Sequence, residues 1–140
     1  MSDDIQKSVR DRISKTSQVT DICKAQIYDD VLPQQVNPPA VAVFVEESTC
    51  YEDINGSNRC FQAQVVVLAW GTDRAQANSL AKAIRDYALP ADLRGQIEGM
   101  DWTEVSLAAG PVALVDGPQD GSDKWRRITK QVFTIWANAL

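Results

Sequence analysis

Two stretches decide the fold: Ala40-Val41-Ala42-Val43-Phe44-Val45 and Cys60-Phe61-Gln62-Ala63-Gln64-Val65-Val66-Val67-Leu68-Ala69-Trp70. The first is β-branched and bounded by Pro38-Pro39 and by polar residues, which predicts a strand. In the second, Phe61, Ala63, Val65, Val67 and Ala69 fall on one face, and Gln62, Gln64, Val66, Leu68 and Trp70 on the other. A polar start and an apolar end predict a strand half exposed at one end and buried at the other. Between the two, residues 46–58 read as an extended loop around Asn55-Gly56, the strongest short hairpin-turn signal. The two strands form a hairpin.

Downstream, Thr72-Asp73 opens a helix. Asp73 and Gln76 make a capping-box-like pair, and Ala77, Leu80, Ala81, Ile84 and Ala88 line an apolar stripe that Leu89-Pro90 ends. Its alanines let the helix lie close against a sheet. Residues 90–101 read as a polar connection, Trp102 to Val115 as one or two strands around Gly110-Pro111, and Trp125 to Ala137 as a closing strand. Upstream, Ile5, Val9 and Ile13 recur every four residues behind Ser2, a candidate N-cap followed by Asp3 and Asp4, so a helix is expected over residues 1–15. A shorter helical turn spans Ser17 to Cys23, and Ile27 to Pro33 reads as a short strand running into a loop. The sum is an α+β domain: a mainly antiparallel sheet of about four to five strands packed against an N-terminal and a central helix.

At 140 residues the chain has the size of one domain, so residues 1–140 are assigned to a single unit. Hydrophobic residues make up 44% and charged residues 24%, an ordinary globular balance that needs no metal or disulfide to fold. Fourteen basic against nineteen acidic residues give a net charge of -5, which opposes polyanion binding by the whole surface. There is no histidine, which removes Ser-His and Cys-His nucleophile pairs and His-containing zinc sites. No Gly-rich phosphate loop, CxxC pair or nucleophile elbow appears, so neither catalytic residues nor a cofactor is expected. No apolar run approaches the roughly 20 residues of a membrane helix, so no membrane partner is expected. The start, Met1-Ser2-Asp3-Asp4, lacks the layout of a secretory signal, which points to a reducing cytosol and free thiols at Cys23, Cys50 and Cys60.

Four clusters invite a functional reading. Asp116 to Asp123 mimics a calcium loop, but Pro118 sits at the third ligand position and Arg127 at the twelfth, so a turn-rich connection is expected and no metal. A two-residue turn at Asn55-Gly56 puts Cys50 opposite Phe61 and Cys60 opposite Tyr51, so these thiols do not face each other, whereas a three-residue turn at Ile54 to Gly56 would bring them opposite. Lys124, Trp125, Arg126, Arg127 and Lys130 form the single basic cluster; it reads either as a contact with an acidic partner or neighbouring copy, or as a solvated or edge-guarding strand face. Glu46, Glu47, Glu52 and Asp53 crowd the hairpin and read either as a solvated loop or as a docking arm or anionic lining. Trp70, Trp102, Trp125 and Trp136 are mostly expected in the sheet core.

The order of these features resembles a known family. Ile27-Tyr28-Asp29, Leu32-Pro33-Gln34 and Pro39-Ala40-Val41-Ala42-Val43 lead into the Phe61–Trp70 strand, the helix with Ala77, Leu80, Ala81 and Ile84, and the closing strand Trp125-Arg126-Arg127-Ile128 to Trp136. This succession resembles the tail-completion proteins, or tail terminators, of long-tailed bacteriophages, minor tail proteins of the head–tail joining type. The resemblance implies a structural protein of the virion, assembled in the host cytoplasm, that forms a six-fold ring. Such a ring caps the tail tube, ends tube polymerisation and offers a surface to the neck. Its implied partners are its own copies, the tube protein and a neck or head-completion protein, and DNA passes through the hole without specific binding. Lys124, Trp125, Arg126, Arg127 and Lys130 then become candidates for the subunit or partner interface, and Glu46, Glu47, Glu52 and Asp53 for a lumen- or tube-facing loop. A neck or head-completion protein of the same virion, or a small α+β ligand-binding or regulatory domain, are the competing readings.

Overall fold

A computed structural model describes residues 2–30, 37–52, 59–116 and 126–139. The elements run α1 (Ser2–Ser14), α2 (Ser17–Cys23), β1 (Ile27–Asp29), β2 (Ala40–Glu52), β3 (Arg59–Gly71), α3 (Arg74–Ala83), β4 (Gly95–Ile97), β5 (Met100–Asp116) and β6 (Arg126–Ala139). The fold is α+β, as the sequence predicts, with six strands in the order β1-β2-β3-β6-β5-β4. All neighbours are antiparallel except β1 and β2, which run parallel.

The alternation within β3 divides the sheet. Phe61, Ala63, Val65, Val67 and Ala69 join Val41, Val43, Phe133, Ile135 and Ala137 in the main core, capped by Ile5, Val9 and Ile13 of α1 and Leu80 and Ala81 of α3. Leu68 and Trp70 face the other way, where Ala42, Trp70 and Ile128 form a small second cluster. The apolar stripe of α3 is buried as expected, and Asp73 caps it by accepting from the Gln76 amide at 2.7 Å. Gln76 Oε1 accepts from the Thr72 amide (2.9 Å), one residue before the N-cap amide that the usual reciprocal box would use. Its last turn, Ile84–Ala88, widens into a π-helical turn where a plain α-helix was expected.

Two further expectations are corrected. Residues 46–58 are not all loop: β2 continues to Glu52 and pairs in register with β3 down to Glu52↔Arg59. Polar residues on both faces hid this, because a strand at a sheet edge can stay hydrated while its backbone pairs on one side only. The connection 90–101 contains β4, paired with the start of β5. Of the one or two strands expected around Gly110-Pro111 the structure has one, β5, with register shifts at 107–109 and 109–112.

Cys50 pairs with Phe61 and Tyr51 with Cys60, the register expected for a turn at Asn55-Gly56, which itself lies outside the described residues, as does most of Asp116 to Asp123. Cys23 is a free thiol. Cys23 is fully buried, and that burial pushes its thiol from 9.0 up to about 11. A raised folded-state value stabilises the protein fully below pH 9 and is lost as pH climbs toward 11. Urea unfolding should therefore show about 2 kcal/mol less stability at pH 11 than at pH 8 from this group. Cys23→Ala should remove that part of the alkaline slope; an unchanged slope would show that the thiol titrates normally.

Candidate interaction surfaces

The predicted acidic set lies on the outer part of β2. Glu46 and Glu47 are exposed beside the register shift between Val45 and Glu47. Glu52 ends the strand, and Asp53 lies outside the described residues. β1 covers β2 only at Val41–Val43, and the Val45 amide donates to Gln6 Oε1 of α1 at 3.1 Å. From Glu46 onward no described strand pairs with the outer side of β2.

The basic set divides differently. Lys124 and Trp125 lie outside the described residues, whereas Arg126, Arg127 and Lys130 are half-buried on β6. β6 sits between β3 and β5, so it cannot guard an edge; that alternative is overturned by the strand order. Arg126 is in register with Asp116, Arg127 with Gly71 and Val115, and Lys130 with Leu68 and Val112. Alternation puts Arg127 on the face of Thr129 and Gln131, toward α3. The acidic and basic sets are not brought together, because β3 lies between their strands.

Sequence reasoning missed a second basic group. Arg74, Lys82 and Arg85 line a groove of about 380 Å³ between α3 and the β5–β6 pair, together with Asn78, Pro111 and Ala113. Arg74 donates to the carbonyls of Ile128 (2.9 Å) and Leu114 (3.1 Å). Arg85 donates to Gln131 Oε1 at 3.1 Å, and the buried Gln131 amide donates in turn to the Ala81 carbonyl at 3.0 Å. Thr129 donates to Asn78 Oδ1 at 2.8 Å. The floor of the groove is thus fixed by hydrogen bonds, which holds its cations in place. The signal was present: positions 74, 78, 82 and 85 recur at helical spacing on the face beside the apolar stripe.

Beside this groove runs the outer part of β5. β4 covers β5 only at Met100–Trp102, so from Thr103 onward no described strand pairs with its outer side. Residues 107–115 are all exposed, and none carries a polar side chain. Leu107, Val112, Leu114 and Val115 are 39–48% exposed. An unpaired edge this apolar is a candidate contact surface for another chain.

A profile of the family described as Tail completion protein gp17 matches residues 7–104, about two thirds of the chain. The chain belongs to this family. As a tail completion family member it is a structural protein of the phage tail. Seventeen chains of solved structures match its fold. One of them, from the virion of a native gene transfer agent particle, aligns over 98% of this chain and 96% of its own with a TM-score of 0.70 at 16% identity, a likeness of fold. A search of curated proteins finds no match. For this family member the matched span runs from within α1 to the start of β5, so the open β5 stretch 107–115 and β6 lie beyond it.

Proposed function

We propose that six copies close into a ring that caps the finished tail tube, ends its polymerisation and offers a surface for head–tail joining. Membership of the tail completion family carries this reading. A cyclic ring needs one surface patch that fits a different patch on the next copy, with a rotation that closes. The acidic end of the β2–β3 hairpin, Glu52 and Asp53, faces the lumen or the tube, and the stretch Lys124 to Lys130 meets an acidic neighbour. A net charge of -5 favours a conduit to which DNA does not stick.

Light scattering of the purified chain, alone and with sheared tail tubes, tests the ring. The expected species has six times the 15.4 kDa chain mass, about 92 kDa, free or bound at tube ends. Tails assembled without the protein should overrun their normal length or fail to join heads, and adding it back should restore joining. Normal-length, head-joined tails made in its absence would overturn the proposal. Binding to heads but not to tubes would place the protein in the neck instead.

A further inference from the structure

The two open strands, β2 and β5, belong to one sheet and lie on opposite sides of it. Each is paired along its inner side, with register shifts, and its outer side pairs with only a three-residue strand, Gln6 of α1 also taking the Val45 amide of β2. Edges left open in this way can accept a strand from another chain, and the register shifts of both strands and the Glu46–Glu47 charges of β2 restrict which partner fits.

We propose that the β5 edge of one copy, Leu107–Val115, pairs with the β2 edge of the next copy around Phe44–Thr49. The proposal rests on the ring reading and supplies its copy-to-copy contact. Charge selects this pairing from the three that two edges allow. Pairing β5 with β5 would bring Arg74, Lys82 and Arg85 of one groove against the same three cations of another. Pairing β2 with β2 would oppose Glu46 and Glu47 to themselves. Only the mixed pairing sets the carboxylates of one copy beside the cationic groove of the next, and among the described residues no carboxylate pairs with Arg74 or Lys82. Apolar character matches too: half-buried Phe44 and Val45 stand next to Glu46, and they meet a strand whose exposed side chains are Leu107, Val112, Leu114 and Val115. Such a contact is heterologous, so each copy keeps one edge of each kind for its two neighbours.

The test uses the full chain and three variants: Glu46→Lys with Glu47→Lys, Lys82→Glu, and all three changes combined. All three positions are exposed. Sedimentation at a series of concentrations, with and without tube ends, should show association weakened about tenfold or more in each one-sided variant and largely restored in the combined one. A second measurement is independent of charge. With Cys50→Ser and Cys60→Ser in the background, a Glu47→Cys copy mixed with a Val112→Cys copy should form a mixed disulfide dimer on mild oxidation, whereas neither copy alone should. Val112→Cys dimers formed alone would overturn the proposal in favour of two-fold pairing. Wild-type association in every charge variant, with no mixed disulfide, would overturn it while leaving the ring reading intact. A wild-type chain that stays monomeric even on tubes would overturn both.

Discussion

Replacing Trp102 by alanine is expected to cost about 4 kcal/mol, a large share of the roughly 5–15 kcal/mol that holds a domain of this size together. Trp102 is only 1% exposed and fills the core where β5 begins. Its indole also closes a buried polar relay. Trp102 Nε1 donates to Ser8 Oγ at 3.0 Å, and Ser8 Oγ donates to the Ile97 carbonyl at 2.9 Å. One serine on α1 therefore ties the helix to β4 and β5, and it is buried completely. Removing the indole opens a cavity and strips Ser8 of its donor together. Ser8→Ala should cost less, about 2 kcal/mol, because it leaves one donor and one acceptor unsatisfied but no large void. In a double-mutant cycle the two losses should overlap, since both delete the same bond. Urea unfolding by far-UV circular dichroism measures all three variants. A Trp102→Ala loss below 1 kcal/mol would show that the relay and the packing are not as described.

Gly110→Ala is expected to cost about 3 kcal/mol by a different route. Gly110 has φ +93°, where a side chain is strained whatever the space. There is also no space: a Cβ there would lie 2.5 Å from the Lys130 carbonyl oxygen and 3.2 Å from Gln131 Cα. Both are backbone atoms of a central strand, so neither can swing aside. Gly95 supplies the control. It has φ +105°, and a Cβ there meets nothing within 4 Å, so Gly95→Ala pays only the backbone strain, about 1 kcal/mol. The difference between the two denaturation midpoints isolates the clash. Equal losses would mean that β5 is free to move away from β6 at Gly110.

The parts of the fold legible in sequence were those with a strong period. The alternation from Phe61 to Ala69 separated core from outer face, and the Ile5, Val9, Ile13 spacing gave α1. The Asn55-Gly56 signal set the hairpin register as far as Glu52. What escaped notice lacked a period or had two. Glu46 to Thr49 are polar on both faces of an edge strand, so alternation was absent although the ladder was not. β4 is too short at three residues to show any pattern. The basic group Arg74, Lys82, Arg85 was masked by the alanine stripe on the same helix. Strand order was the deepest gap. Nothing local in Arg126–Lys130 tells a central strand from an edge, because that depends on which distant segments lie on either side.

That order has a consequence for how the molecule is made. β6 follows every other described element in the chain, yet it lies between β3 and β5. While a ribosome is still producing residues 1–125, the growing polypeptide holds two separate half-sheets, β1-β2-β3 and β5-β4, each with a raw inner margin. Neither half can close on the other until Arg126–Ala139 emerges and is inserted between them, the way a keystone completes an arch. The nascent protein thus passes through an interval in which Val65 lacks its Phe133 partner and Val105 its Ile135 partner.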